Sequence, residues 1–272
     1  MQHPTDIHQA ALDCITTDNP DEKLRKTQAT AAAWEQGELT PSDTAPAPVP
    51  IPQPGRPPRP ELVAPGCVPK RGVNTPRQRA ALIHALAHIE FNAINLAWDA
   101  VYRFRGLPRA FYDDWVVVAA DEARHFAMLR RRLRELDHDY GDFAAHNGLW
   151  EAAAATSHDL AARMALVPRV LEARGLDVTG EIEQRLRRAG DPATADIVAA
   201  IEQEEVAHVR AGTRWFRHGS AQQGLDPHAT FFDLINRLAH GRIKGPFNRE
   251  ARLRAGFTPR ELEELERWSD SR

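Results

Sequence analysis

Two short motifs constrain this chain more than anything else in it. DEARH spans 121–125 and EEVAH spans 204–208, and each contains Glu-x-x-His: Glu122 with His125, and Glu205 with His208. On an α-helix, residues three apart lie on one face about a turn apart, so a carboxylate and an imidazole so placed can reach the same point. At about 100° per residue, Glu122 shares its face with Trp115, Val118, Phe126, Leu129 and Leu133, while Asp121 falls toward the edge. Glu205 shares its face with Val198, Ile201, Val209 and Phe216, and Glu204 falls toward the edge. A carboxylate on an apolar face is costly unless it finds a partner, and a metal ion is a strong one.

One Glu-x-x-His on a helix is usually a solvated or ion-pairing face. Two of them, each preceded by a helix carrying an inward glutamate, are far more specific. The preceding helices offer Glu90 in HIEFNAINLAW, aligned with Ile83, Ala87 and Ile94, and Glu172 in VLEARGLD, aligned with Ala161, Ala165 and Pro168. The order Glu, Glu-x-x-His, Glu, Glu-x-x-His is the one that carboxylate-bridged dinuclear sites in four-helix bundles require. Glu172 stands near its helix end, one turn after Pro168, which should kink or interrupt that helix. Glu151 is the fallback for the fourth carboxylate. The expected ligands are thus Glu90, Glu122, His125, Glu172, Glu205 and His208, around two metal ions: iron first, with manganese or zinc as alternatives.

Helix punctuation supports an all-α chain. Thr75-Pro76, Asp191-Pro192, Asp226-Pro227 and Thr258-Pro259 each place a capping oxygen before a proline at the first helical position. They predict helices at 76–104, 109–136, 147–155, 157–175, 179–189, 191–218, 227–241 and 259–268. Residues 5–36 read as one or two further helices stopped by Gly37. No segment shows strand alternation between hairpin turns. Residues 41–76 contain 12 of the chain's 20 prolines and should run extended, as a linker or as a strap that buries Ile51, Leu62 and Val63. The predicted organisation is an N-terminal helical extension (1–40), a proline-rich linker or strap (41–75), a four-helix bundle (76–218) and a C-terminal helical cap (219–272).

Composition excludes little. With 42% hydrophobic and 27% charged residues and a net charge of -3, nothing demands a nucleic-acid or membrane partner. There is no uninterrupted apolar run of about 18 residues. Two distant cysteines, Cys14 and Cys67, and an N-terminus without an apolar signal core lead us to expect a cytoplasmic protein. His84 and His88 share a helix face away from Glu90 and read as buried polar contacts to a neighbouring helix. His146 and Trp150 fall in the crossover and read as a cover for the bundle end. RRRLREL at 130–136 reads as a solvated face. The stretch HGRIKGPFNREARLRAGF gathers Arg242, Lys244, Arg249, Arg252 and Arg254 around Gly-Pro and two phenylalanines. It reads as a tail packed over the bundle, with Arg249 and Arg252 as anion-binding candidates.

The arrangement resembles the ferritin-like superfamily. The phrases DDWVVVAADEARHF, YGDFAAHNGLW, VLEARGLD and GPFNREARLRAGF are similar to a bacterial ferritin-like family of unassigned function, over roughly residues 75–257. The wider group includes di-iron tRNA hydroxylases, rubrerythrins and bacterioferritins. The resemblance implies a metal-binding four-helix bundle but supplies no substrate, since one fold and site serve many functions. The absence of a Cys-x-x-Cys pair separates the chain from a complete rubrerythrin. Three functions compete: a non-haem di-iron monooxygenase or oxidase acting with dioxygen on a small molecule or a tRNA nucleoside, a ferroxidase or peroxide-detoxifying protein, and a non-enzymatic metal-stapled bundle. The embellishments around the bundle favour the first, with a redox partner, and favour a monomer or dimer over a shell.

Overall fold

The computed structural model describes residues 5–42, 46–239 and 243–270. Among these the chain is all-α: there is no β-strand, only isolated bridges at Asp6–Thr40 and Leu62–Ala145. The chain divides into two compact units, 1–154 and 155–272.

In the first unit, α1 (Ile7–Thr16) and α2 (Pro20–Glu35) precede the long pair α3 (Pro76–Arg103) and α4 (Arg109–Glu135), and α5 (Gly148–Ala155) follows. Asn19 caps α2 and Thr75 caps α3, each accepting from the backbone N–H three residues on, with proline next in sequence. Gly37, at φ +76°, closes the segment after α2, a backbone conformation that costs glycine nothing. The pair α3 and α4 runs antiparallel, with ring contacts at both Phe104–Phe111 (6.4 Å) and Phe91–Phe126 (5.2 Å). α3 is long and apolar enough to cross a bilayer, but 78% of that window is buried inside the protein. It is the core helix of its unit. Trp98 of α3 is buried with its indole N–H donating to Thr27 Oγ1 of α2, and Lys23 of α2 is buried with its ammonium donating to Cys14 O, Ile15 O and Asn95 Oδ1. Three donors meet three acceptors, which is what makes a buried lysine tolerable.

The proline-rich segment is fastened to this unit. Val49 N–H donates to Tyr102 Oη, Gly55 N–H to Ile15 O, and Glu61 and Val63 exchange hydrogen bonds with Ala145. Trp150, buried on α5, donates its indole N–H to Ile51 O. Gly55 lies so close to the end of α1 that a Cβ there would stand 2.3 Å from Thr16 O. His84 accepts from Gly141 N–H, and His88 is bonded to Tyr140 Oη and His146 O, so both histidines are buried contacts to the segment after α4. RRRLREL is mixed: Leu133 is buried, while Arg130 pairs with Asp21 and Asp139, Arg132 with Glu135 and Arg134 with Asp139.

The second unit holds α6 (Leu160–Leu166), a π-helical turn (Val167–Glu172), α7 (Ala173–Arg188), α8 (Pro192–Gln222), α9 (Pro227–Leu238), α10 (Arg249–Arg254) and α11 (Pro259–Asp270). Asp191, Asp226 and Thr258 cap their helices, and the Thr258–Glu261 pair closes a reciprocal capping box. Two expected boundaries differ. The helices predicted at 157–175 and 179–189 form one continuous run, α6 to α7, that ends at Gly190 (φ +76°). A proline inside a helix lacks an N–H and crowds the preceding turn. Here the turn widens instead of breaking, and Ala173 N–H reaches back five residues to Pro168 O. The second difference is α10, a short helix capped by Asn248 within the expected tail.

Candidate metal centre

Each unit carries one Glu-x-x-His motif, and each half of the candidate centre is built within its own unit. In the first, α3 presents Glu90 and α4 presents Glu122 and His125. All three are buried, at 6%, 1% and 0% exposure. His125 Nδ1 lies 3.5 Å from Glu122 Oε2 and 3.6 Å from Glu90 Oε2. Ligand atoms of the three residues all stand within 4.8 Å of one another. The i, i+3 spacing puts the Glu122 and His125 side chains on one face, and the antiparallel register of α3 and α4 brings Glu90 level with them. Phe91 and Phe126, each the next residue along, close edge-to-face beside the cluster.

The electrostatics of this cluster suit a bound cation, because the two carboxylates attract positive charge. Burial alone would lower the basicity of His125, but hydrogen bonds and charge from Glu122 and Glu90 outweigh it and push the imidazole up to about 11. Two carboxylates held together in an apolar interior call for positive charge. The donor set, two carboxylates and one imidazole, fits iron, manganese or zinc. Asp121, next to Glu122, pairs instead with Arg124 at 2.6 Å on the partly exposed side of the helix.

The second half rests on α8. His208 is buried and its Nδ1 lies 3.3 Å from Glu205 Oε1, whose side chain is 13% exposed. Glu172, half-buried, is the last residue of the π-helical turn. Close backbone approaches fix how that turn meets α8. A Cβ on Gly219 would meet Ala161 N at 3.2 Å, and one on Gly212 would meet Pro168 Cβ and Cγ at 2.3 Å. The two segments are therefore antiparallel, with 161 opposite 219 and 168 opposite 212. The same register sets Glu172 level with His208. The fallback, Glu151, is exposed on α5.

The anion-binding candidates separate. Arg249 is exposed and holds Glu266 through both carboxylate oxygens at 2.8 Å. Arg252 is buried and holds Asp177 in a two-pronged pair at 2.7 and 2.8 Å. Arg254 is exposed, and Arg242 lies outside the described residues. Sequence reasoning passed over Arg169, which is 1% exposed and paired with Glu261. Its one signal was a charged residue inside the apolar run MALVPRVL.

The model of one protein family, described as a protein of unknown function (DUF455), matches residues 16–263. The chain belongs to this family. An uncharacterized protein of Haemophilus influenzae is 46% identical to it over 214 residues, covering 76% of this chain and 74% of the relative. No solved structure matches the chain. The matched region contains all six expected metal ligands, and the family's description carries no activity.

Proposed function

We propose that this protein is a non-haem dinuclear metal protein of ferritin-like architecture, and that it uses iron to drive oxidation of an organic substrate by dioxygen. On this reading α3, α4, the α6–α7 run and α8 are the four bundle helices. Glu90, Glu122, His125, Glu172, Glu205 and His208 together hold two ions. The observation that carries the reading is the buried Glu90–Glu122–His125 cluster, two carboxylates and an imidazole whose ligand atoms are close enough to meet on one ion. The second Glu-x-x-His pair, Glu205 and His208, repeats the same local geometry and supplies the duplicate that a two-metal site needs.

The roles of the residues follow from their chemistry. A bound iron pair supplies the electrons for reducing dioxygen. The glutamates neutralise the metal charge and can change binding mode as that charge changes. Each histidine contributes one neutral nitrogen donor and must give up its proton to do so, so loading releases protons. Phe91 and Phe126 exclude water from one side of the first cluster. The π-helical turn sets the height of Glu172 along α8. A small molecule or a tRNA nucleoside as substrate, a redox partner, and a monomeric or dimeric cytoplasmic state complete the proposal.

The test is elemental analysis of protein purified without added metal, followed by oxygen consumption. The proposal expects close to two iron atoms per chain after anaerobic loading with iron(II), and dioxygen uptake that rises with an organic substrate. Zinc retained at full occupancy, with no oxygen uptake after exchange for iron, would refute the oxidase reading and leave a metal-stapled bundle. Iron oxidation to a mineral in a shell-sized assembly would replace it with storage.

A further inference from the structure

The second unit contains a cationic site apart from the metal ligands. Arg169 is buried in the π-helical turn, and three aromatic rings enclose its guanidinium: Phe231 at 4.0 Å, Phe257 at 4.5 Å and Phe216 at 4.7 Å. Glu261 takes one amino group, Nη2, at 2.6 Å. Nε and Nη1 donate to no acceptor among the described residues. A buried guanidinium with donors unsatisfied costs free energy, and native proteins rarely leave such groups without a reason.

Arg169 lines a hollow of about 10 Å³. That is room for one water molecule or for one oxygen of a larger ion. Arg174, Lys244 and Arg252 also line it, together with Phe247 and a single carboxylate, Asp177. Asp177 is fully occupied: it holds both prongs of Arg252, accepts from Asn248 N–H, and lies 3.6 Å from Arg174. Lys244 is exposed, and Arg174 spends one amino group on the Lys244 carbonyl. Four cations thus surround the hollow and only two carboxylates, Asp177 and Glu261, offset them. The positive surplus also shows at Arg169 itself, where burial first, and then the nearby Arg217 and Arg252, pull the guanidinium down to about 10 against the opposing pull of Glu261.

We propose that this hollow is a binding site for a dianionic phosphate group, which places one oxygen against the Arg169 Nε and Nη1 donors and its remaining oxygens toward Arg174 and Lys244. The lining selects an oxyanion because three guanidinium groups and the exposed Lys244 share one hollow. A carboxylate offers two oxygens in a plane, whereas a phosphate offers three beyond the one inserted. The site does not depend on the metal reading, since no expected ligand lines it.

Inorganic phosphate tests this on the full chain, with isothermal titration calorimetry at constant ionic strength set by chloride. We expect saturable one-to-one binding, weakened at least tenfold in Lys244→Ala and in Arg174→Ala, both of which leave the buried Arg169–Glu261 pair in place. A parallel titration with a phosphomonoester separates the two sources of the group: tighter binding of the ester assigns an organic phosphate, and equal or weaker binding assigns the free ion. A second measurement needs no variant. The Arg169 Nε–H resonance, assigned by its loss in Arg169→Lys, should shift on phosphate addition and not on an equal charge of chloride. Absence of saturable heat with both compounds, binding unchanged in both variants, or an unmoved Nε–H resonance each overturns the proposal and leaves a site for a bound water only.

Discussion

The contact between Pro168 and Gly212 gives the sharpest test of how the second half-site is built. A methyl group placed on Gly212 would stand 2.3 Å from both Cβ and Cγ of the Pro168 ring, more than an ångström short of the 3.4 Å at which ordinary contact begins. The ring is rigid and sits inside the π-helical turn, so it cannot swing aside as a flexible side chain would. Overpacking of this kind costs about 1–3 kcal/mol, and the rigidity of the neighbour puts this site at the upper end. Against it stands the helix preference of alanine over glycine, about 1 kcal/mol. Gly212→Ala should therefore destabilise by roughly 2 kcal/mol, or about 4–8 °C in Tm for a chain of this size. Gly175 is the control. It is also helical, on α7, but a Cβ there meets nothing within 4 Å. Gly175→Ala should stabilise by about 0.5–1 kcal/mol. Urea unfolding of the two variants beside the parent measures both. A Gly212→Ala protein as stable as the parent, or a Gly175→Ala protein weakened equally, would refute the claim that close packing at 212 holds the turn. The same displacement should lower metal content in the 212 variant and leave it unchanged in the 175 variant.

Glu261 neutralises the buried Arg169, and Glu261→Gln should cost about 3–5 kcal/mol because it strands a buried charge; thermal unfolding within about 0.5 kcal/mol of the parent would show that Arg169 does not depend on it. The Glu261 carboxyl, although raised by burial, is pulled below its ordinary value by Arg169 and by hydrogen bonds from Thr258. Its contribution is thus present above the unfolded carboxyl range and is lost as pH falls through its lower folded value; a parent protein whose acid unfolding curve matches that of Glu261→Gln would contradict this. Replacing Glu122 or Glu205 by Ala should remove metal, whereas Asp121→Ala or Glu204→Ala should leave most of it, and equal metal in all four by elemental analysis would sink the facing argument. Asp191 is buried and accepts from both the N–H and the hydroxyl of Thr194, so Asp191→Ala should cost about 2 kcal/mol against about 1 kcal/mol for the more exposed cap at Asp226. Urea midpoints that rank the two caps in reverse would show that burial does not set their worth.

What could be read in the sequence is what is encoded within a few residues. The four cap-proline pairs mark helix starts through a side-chain oxygen and its own backbone, and Thr75, Asp191, Asp226 and Thr258 all accept those bonds. The Glu122–His125 and Glu205–His208 pairs are equally local, because three residues of helix set their spacing whatever surrounds them. The features that could not be read depend on distant partners. Pro168 reads as a kink or an interruption because the residue packed against it, Gly212, lies a helix away, and that packing accompanies a widened turn instead. Arg169 goes unnoticed in the sequence because its phenylalanines and Glu261 come from α8, α9, α11 and the segment before α11. The same division runs through the candidate metal centre. Glu122 and His125 are legible as a pair, and Glu90 joins them through the antiparallel register of α3 and α4. Glu172 owes its position to a turn whose shape is decided across the unit. It follows that substitutions at Gly212 should disturb the second half-site and spare the first, although Gly212 bears no ligand. Separate spectroscopic titration of the two sites with cobalt(II) would show this as one lost binding step, and loss of both together would mean that neither half holds a metal by itself.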